Sequence, residues 1–408
     1  MADFFETFIS QLAKWSEDGS IPDTASLDLM YSMELQKKRL DEKNLRIKYT
    51  YTPYLTELNR AIRTWSDKEY SNTVCCTSYI RLKEIFANGR RKYKDKENEF
   101  CYGVVTDMYN QQSDKTYCCP NCGAIHHIKT LLNEGCPNCK TRFIISDLFP
   151  KVTNYYAVKS YGEKSEVLKN DILKYVLSFA IIGFIISGIS AFVSKGIYVT
   201  PEDLAGCIGG GFAGAIFGYC FWAFSKVGSV FFDAARSIPK LVTQNDAKKR
   251  LPEFMLQYDP NFSYEYFIGK AIAMAKIMVF SSDYKNLAIY EGPAMENTNK
   301  DIIDIQFNHA VGLNNCYVKG AYCYLDISVY TTNTYFVNNR VKVKNEIFRM
   351  TLCKNVMVEP DYGFSIRKVQ CKGCGSSFDA TREHNCPYCN KPYHLGDDDW
   401  VVLAFNKI

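Results

Sequence analysis

Two long apolar runs stand out along the chain: ILKYVLSFAIIGFIISGISAFV, which begins at Ile172, and LAGCIGGGFAGAIFGYCFWAF, which ends at Phe224. Each is about the ~20 residues needed to cross a hydrocarbon core, and the short polar link SKGIYVTPED joins them, so residues 171–225 read as a transmembrane helical hairpin. Gly206, Gly210, Gly214 and Gly218 recur at every fourth position of the second run, as Gly183, Ser187 and Ala191 do in the first. Such small-residue faces let helices approach closely, here each other or a second copy in a homo-oligomer. Before the hairpin, Leu27, Met30, Met33, Leu40 and Leu45 fall at helical spacing and predict an amphipathic helix from Ser26 to about Ile47. A second helix is expected from Tyr54 to Trp65, and the basic run Arg90-Arg91-Lys92 with Lys94 and Lys96 as a solvated loop.

After the hairpin a linker is expected at 226–258, then an apolar helix opened by Asp259-Pro260, then a helix near Lys300 to Val311. Strands follow. Cys323, Leu325, Ile327 and Val329 alternate with Tyr322, Tyr324, Asp326, Ser328 and Tyr330, a period of two, and Asn338-Asn339 suits a tight hairpin turn. Helices followed by an antiparallel meander make this part of the chain α+β.

Composition agrees with several folded units in the 408 residues: 47% are hydrophobic, with 29 Tyr and 26 Phe. The net charge of +5 is too small at this length to select nucleic acid. Local charge is more informative. Lys159, Lys164 and Lys169 flank the hairpin on one side and Lys226, Arg236 and Lys240 on the other, whereas the link carries only Lys195. The positive-inside rule therefore predicts a multi-pass protein of the plasma membrane with both termini cytoplasmic. The N-terminal residues lack the basic leader and continuous apolar run of a secretory signal.

The 17 cysteines carry the chemistry. Cys119-x2-Cys122 is followed by Cys136-x2-Cys139, and the pattern recurs as Cys371-x2-Cys374 and Cys386-x2-Cys389. Paired knuckles of this kind close a tetrahedral shell of four thiolates, which predicts two structural Zn2+ ions in two zinc ribbons and thiols kept in a reducing compartment. Cys118 offers a competing start, and Cys119 is preferred for its two-residue spacing. His126, His127, His384 and His394 lie near the quartets and are expected as surface groups or outer partners. Phe143 and Asp147 follow Cys139 at the distances at which Tyr393 and Asp397 follow Cys389, so the ribbons read as an internal repeat.

The segments DPNFSYEYFIGKA, CYVKGAYCYLDISVYTT, EIFRMTLCKN, CKGCG with CPYC, and DDDWVVLAF resemble bacterial relatives of the C-terminal domain of the 44-kDa subunit of the mitochondrial inner-membrane translocase. The resemblance implies a cone-like α+β fold similar to nuclear transport factor 2, with helices packed on a curved antiparallel sheet around an apolar pocket. Mitochondrial members look like adaptors at the membrane; this chain departs from them in its hairpin, its additional ribbon and its lack of a recognisable chaperone-recruiting segment.

The organisation expected is a largely helical region at 1–110, a ribbon at 111–150, the hairpin at 171–225, the linker at 226–258, the α+β domain at 259–370 and a second ribbon with a closing strand at 371–408. The expected function is a non-enzymatic, membrane-anchored scaffold or adaptor that binds a protein, peptide or lipid. Asp326 and His309 form the acid-base pair of an enzymatic alternative. Nucleic acid is not expected, because the ribbons are poor in Arg and in suitably spaced stacking aromatics.

Overall fold

A computed structural model describes residues 1–66, 69–109, 114–159, 165–195, 200–284, 287–358 and 364–408. The chain divides into a larger unit, Met1–Lys159 with Thr243–Ile408, and a smaller one, Ser160–Val242. The N-terminal region and the α+β domain, expected to be separate, therefore belong to one body. Lys164 and link residues 196–199 lie outside the described residues.

The first half of the larger unit is mixed rather than largely helical. It contains α1 (Ala2–Asp18), α2 (Leu27–Glu42), β1 (Leu45–Pro53), β2 (Arg60–Ser66), β3 (Tyr70–Ala87) and β4 (Arg90–Met108). The first ribbon follows with β5 (Thr116–Cys118), β6 (Ile125–His127), α3 (Ile128–Asn133) and α4 (Ile145–Leu148), and β7 (Lys151–Lys159) closes the half. The main sheet is antiparallel in the order β1-β3-β4-β7, with β2 also paired to β3. Ser26 caps α2, its hydroxyl accepting from the Leu29 amide at 3.4 Å, and the helix stops before Asn44, whose φ of 53° turns the chain into β1. The helix expected at Tyr54–Trp65 is instead one short turn followed by β2, because Ile62 and Thr64 suit an edge strand against β3. The basic run at Arg90 opens β4, exposed as expected but extended rather than looped.

The smaller unit holds α5 (Ser165–Lys195) and the first part of α6 (Pro201–Met255). The windows Lys174–Val193 and Pro201–Phe224 are long and apolar enough to cross a membrane. Their apolar side chains are not covered by a core: Val193 is 79% exposed and Phe224 81%. The small-residue faces meet each other within the hairpin. A Cβ on Gly210 would stand 1.9 Å from Ser187 Oγ, and one on Gly183 would stand 2.3 Å from the Gly210 carbonyl oxygen. The segment expected as a linker, 226–258, is helical as far as Met255.

The second half repeats the order of the first. Here α7 (Tyr264–Phe280), capped by Ser263, precedes β8 (Ile302–Lys319), β9 (Tyr322–Val337) and β10 (Arg340–Asn355). The second ribbon contributes β11 (Lys368–Gln370) and β12 (Ser377–Asp379), and β13 (Val401–Lys407) closes the sheet in the order β13-β10-β9-β8. The helix expected near Lys300–Val311 is part of β8, where the β-branched Ile302, Ile303 and Ile305 favour a strand. The predicted alternation of β9 holds: Cys323, Leu325, Ile327 and Val329 are all buried.

Corresponding features lie at corresponding places. Asn88-Gly89 and Asn338-Asn339, all with positive φ, turn the long hairpins β3–β4 and β9–β10. Each hairpin is followed by a ribbon and a closing strand paired to the hairpin's second strand, with one irregularity in that pairing. A parallel bridge reaches the second residue of each closing strand, Ala25 to Val152 and Tyr290 to Val402. The repeat expected for the ribbons therefore extends through the sheets that carry them. The buried face of α7 packs on β8, β4, β7 and α2, so the halves share one core.

Candidate metal centres

The two quartets assemble as the spacing predicts: Cys119, Cys122, Cys136 and Cys139 form one cluster, and Cys371, Cys374, Cys386 and Cys389 the other, with all sulfurs of a cluster within 4.8 Å of one another. Cys119 Sγ lies 3.7 Å from Cys139 Sγ and Cys122 Sγ 3.6 Å from Cys136 Sγ; the second cluster gives 3.5 Å for Cys371–Cys389 and 3.6 Å for Cys374–Cys386. Metal–sulfur bonds of about 2.3 Å in a tetrahedron give edges of about 3.8 Å. Each cluster can thus hold one metal ion.

The backbone explains the convergence. In each knuckle the residue after the second cysteine takes a left-handed conformation: Gly123 and Lys140 in one ribbon, Gly375 and Asn390 in the other, with φ from 58° to 75°. That turn lets its amide donate to the carbonyl of the first cysteine, as Gly123 does to Cys119, Lys140 to Cys136, Gly375 to Cys371 and Asn390 to Cys386. Other amides face the sulfurs. The Cys122 amide donates to Cys119 Sγ at 3.5 Å and the Gly373 amide to Cys371 Sγ at 3.3 Å. Hydrogen bonds from Thr141 pull the Cys139 thiol down to about 6, and those from Ser376 do the same for Cys374, whereas burial pushes Cys119 up to about 12. Each cluster thus mixes thiols of lowered and raised proton affinity, and a bound ion displaces the protons that remain.

Cys118 is outside the first cluster. It is buried, and its thiol donates to the Lys368 carbonyl of the other ribbon at 3.6 Å. The ribbons also meet where the Ile125 amide donates to Ser377 Oγ at 2.9 Å. Cys118→Ser is expected to leave the metal content unchanged and to alter stability by at most about 1 kcal/mol, as a hydroxyl can replace the thiol as donor. Elemental analysis beside a melting curve checks this; loss of one ion would move the ligand from Cys119 to Cys118. Among the described residues no histidine joins either cluster: His127 Nδ1 contacts the Asp114 carbonyl and His126 is only partly exposed.

Asp326, one half of the acid-base pair of the enzymatic alternative, is engaged by Arg349. Its carboxylate accepts from Arg349 Nε at 3.0 Å and Nη2 at 2.5 Å, and that hydrogen bonding holds its carboxyl below the ordinary range. The side chain of His309 lies outside the described residues.

A pocket of about 780 Å³ opens in the larger unit between the start of α7, β7 and the segments before and after the second ribbon. The resemblance implies an apolar pocket in the α+β domain, but the walls of this one come from distant segments of both halves, and its lining was not legible in the sequence. Asp28 and Asp399 both pair with Lys270 of α7, and Asp28 also accepts from Ser365 Oγ at 2.8 Å and the Ile366 amide at 3.0 Å. Despite burial, the two carboxylates raise the proton affinity of Lys270 and keep it charged. The one legible signal was a lysine placed within the otherwise apolar face of α7. Comparisons with family models, with curated proteins and with solved structures found no match to this chain.

Proposed function

We propose that this protein is a membrane-anchored, zinc-stiffened scaffold whose larger unit binds a protein, peptide or lipid partner through its pocket. The observation that carries the reading is the closure of both metal shells. Four cysteine sulfurs around each centre favour zinc and leave no coordination position for substrate, so the ions serve as cross-links. The cone-like fold and adaptor role implied by the translocase-subunit resemblance remain part of the proposal; α7 packed on an antiparallel sheet beside a pocket supports them. With Asp326 held by Arg349, an enzymatic reading gains no support from that carboxylate.

The outward apolar faces of α5 and α6 support insertion in a bilayer, and the flanking lysines support a multi-pass chain of the plasma membrane with both termini cytoplasmic. A cysteine introduced at Tyr198 is therefore expected to gain labelling by a membrane-impermeant maleimide in intact cells. Cysteines introduced at Asp23 or Arg382 should label only after lysis. Labelling of either in intact cells would invert or abolish the topology.

The test of the scaffold reading is affinity capture from detergent extracts with the full chain, compared with a variant in which Ala273 on the pocket wall is enlarged to Trp. The reading expects a partner recovered by the wild type and lost from the variant at equal zinc content. Equal recovery by both would place the binding surface elsewhere.

A further inference from the structure

Asn154 lies on the buried face of β7, in line with Val152, Tyr156 and Val158, and is only 3% exposed. An amide at such a position needs partners, yet its Nδ2 has none among the described residues. It lines the pocket, and Gly269 of α7 lies so close that a Cβ there would stand 2.6 Å from Asn154 Cβ. The helix thus confines the side chain from one side.

The rest of the lining states what the amide would meet. Phe262, Phe267, Met274, Ile277, Phe364 and Trp400 supply apolar and aromatic walls. The lining lysines are all engaged: Lys270 by both Asp28 and Asp399, Lys115 by Glu69 at 3.5 Å, and the buried Lys354 by Asp259 as its electrostatic partner. An anionic head group therefore meets no lining lysine without a carboxylate partner, whereas an uncharged hydrogen-bonding group with apolar neighbours meets the Asn154 amide and the apolar walls. A side-chain amide carries a donor and an acceptor of the kind that a peptide group's carbonyl and N–H meet. The volume is that of a ligand site for a few residues.

We infer that this pocket binds an extended peptide segment, anchored through one main-chain peptide group on Asn154 and through a bulky apolar side chain among Phe267, Met274 and Trp400. The inference rests on the binding-scaffold reading and names its ligand. The segment is supplied by a protein partner or by a free peptide of the same chemistry.

The experiment uses the full chain in nanodiscs and fluorescein-labelled, capped hexapeptides of Gly and Ser whose central residue is Leu, Phe, Met, Trp, Lys or Glu. Fluorescent lysophosphatidylcholine is the lipid probe. The expected result is saturable binding of the apolar-centred peptides, at least tenfold weaker for Asn154→Leu and lost for Ala273→Trp, with zinc content and melting temperature retained. Should Asn154→Leu fail to fold, Ala273→Trp and the dependence on the central residue carry the test. Binding of the lipid probe alone, lost in Ala273→Trp, would overturn the peptide assignment and leave the scaffold reading standing. Failure of both probes would overturn the inference and count against that reading as well. Undiminished peptide binding by Asn154→Leu would remove the anchor on which the inference is built. If full-length partner is captured but no hexapeptide binds, the ligand is a folded surface and the inference falls.

Discussion

On the zinc reading proposed above, replacing Cys386 and Cys389 together by Ser is expected to lower zinc from about two to about one ion per chain and to unfold the second ribbon, because metal binding is what folds such a module. Apparent binding energies of about 10–16 kcal/mol for structural zinc are as large as the whole net stability of a domain, about 5–15 kcal/mol. The ribbon cannot hold its shape on the remaining contacts. The damage should not stay local, since Val369, Phe378, Tyr393 and Leu395 of the ribbon belong to the same core as Phe348, Met350 and Val402 of the sheet. Limited proteolysis is expected to cut first between Cys371 and Trp400, and the cooperative melting transition should fall with the cut. Retention of both ions, or a protease pattern like that of the wild type with only one, would refute the cross-link role.

The cysteine quartets were the most legible part of the chain, because ligand spacing is set within a few residues by the knuckle itself. The β9 alternation and the Asn338-Asn339 turn were legible for the same reason. What failed was the choice between helix and strand where apolar residues cluster without a clear period. DIIDIQF has apolar residues on both faces, and β8 buries Ile302 and Ile303 in succession, so neither period was visible. Residues 54–65 misled in the opposite way: Ile62 is 50% exposed, and β2 is held by pairing to β3 rather than by burial. The duplication of the sheets was hidden too. Only turn positions, ribbons and closing-strand spacing are shared, while the side chains between them have diverged. The two cysteine clusters could be read from their spacing; the lining of the pocket could not, because Asn154, Lys270, Asp28 and Asp399 meet only after both halves have folded together.

That joining of halves depends on a polar seam, and breaking it at Arg81 is expected to destabilise the larger unit by about 3–5 kcal/mol, the usual cost of orphaning a buried charge. Arg81 and Lys83 project from one face of β3; Asp304 and Gln306 project from β8 to meet them. Arg81 Nε donates to Glu99 at 2.7 Å, and its Nη2 donates to Gln306 Oε1 at 3.1 Å and Glu97 at 3.3 Å. Gln306 Nε2 donates back to Glu99 at 2.6 Å, while Lys83 pairs with Asp304 and donates to Thr334 Oγ1 at 2.8 Å. Burial pushes the Glu99 carboxyl above its ordinary range even with Arg81 present. In Arg81→Met it should rise further, so the folded state holds a proton that the unfolded state releases. A carboxyl raised in this way favours folding at low pH and opposes it as pH rises through the folded value, so the deficit of Arg81→Met should be smaller at pH ~5 than at pH ~8. Arg81→Met combined with Glu99→Leu should recover most of the loss, since removing both charges also removes the desolvation that the pair had to offset. Urea unfolding of the wild type, both single variants and the double variant at the two pH values closes the cycle. A single-variant loss below about 1 kcal/mol, or additive losses in the double variant, would mean that apolar packing around α7, not this seam, holds the halves together.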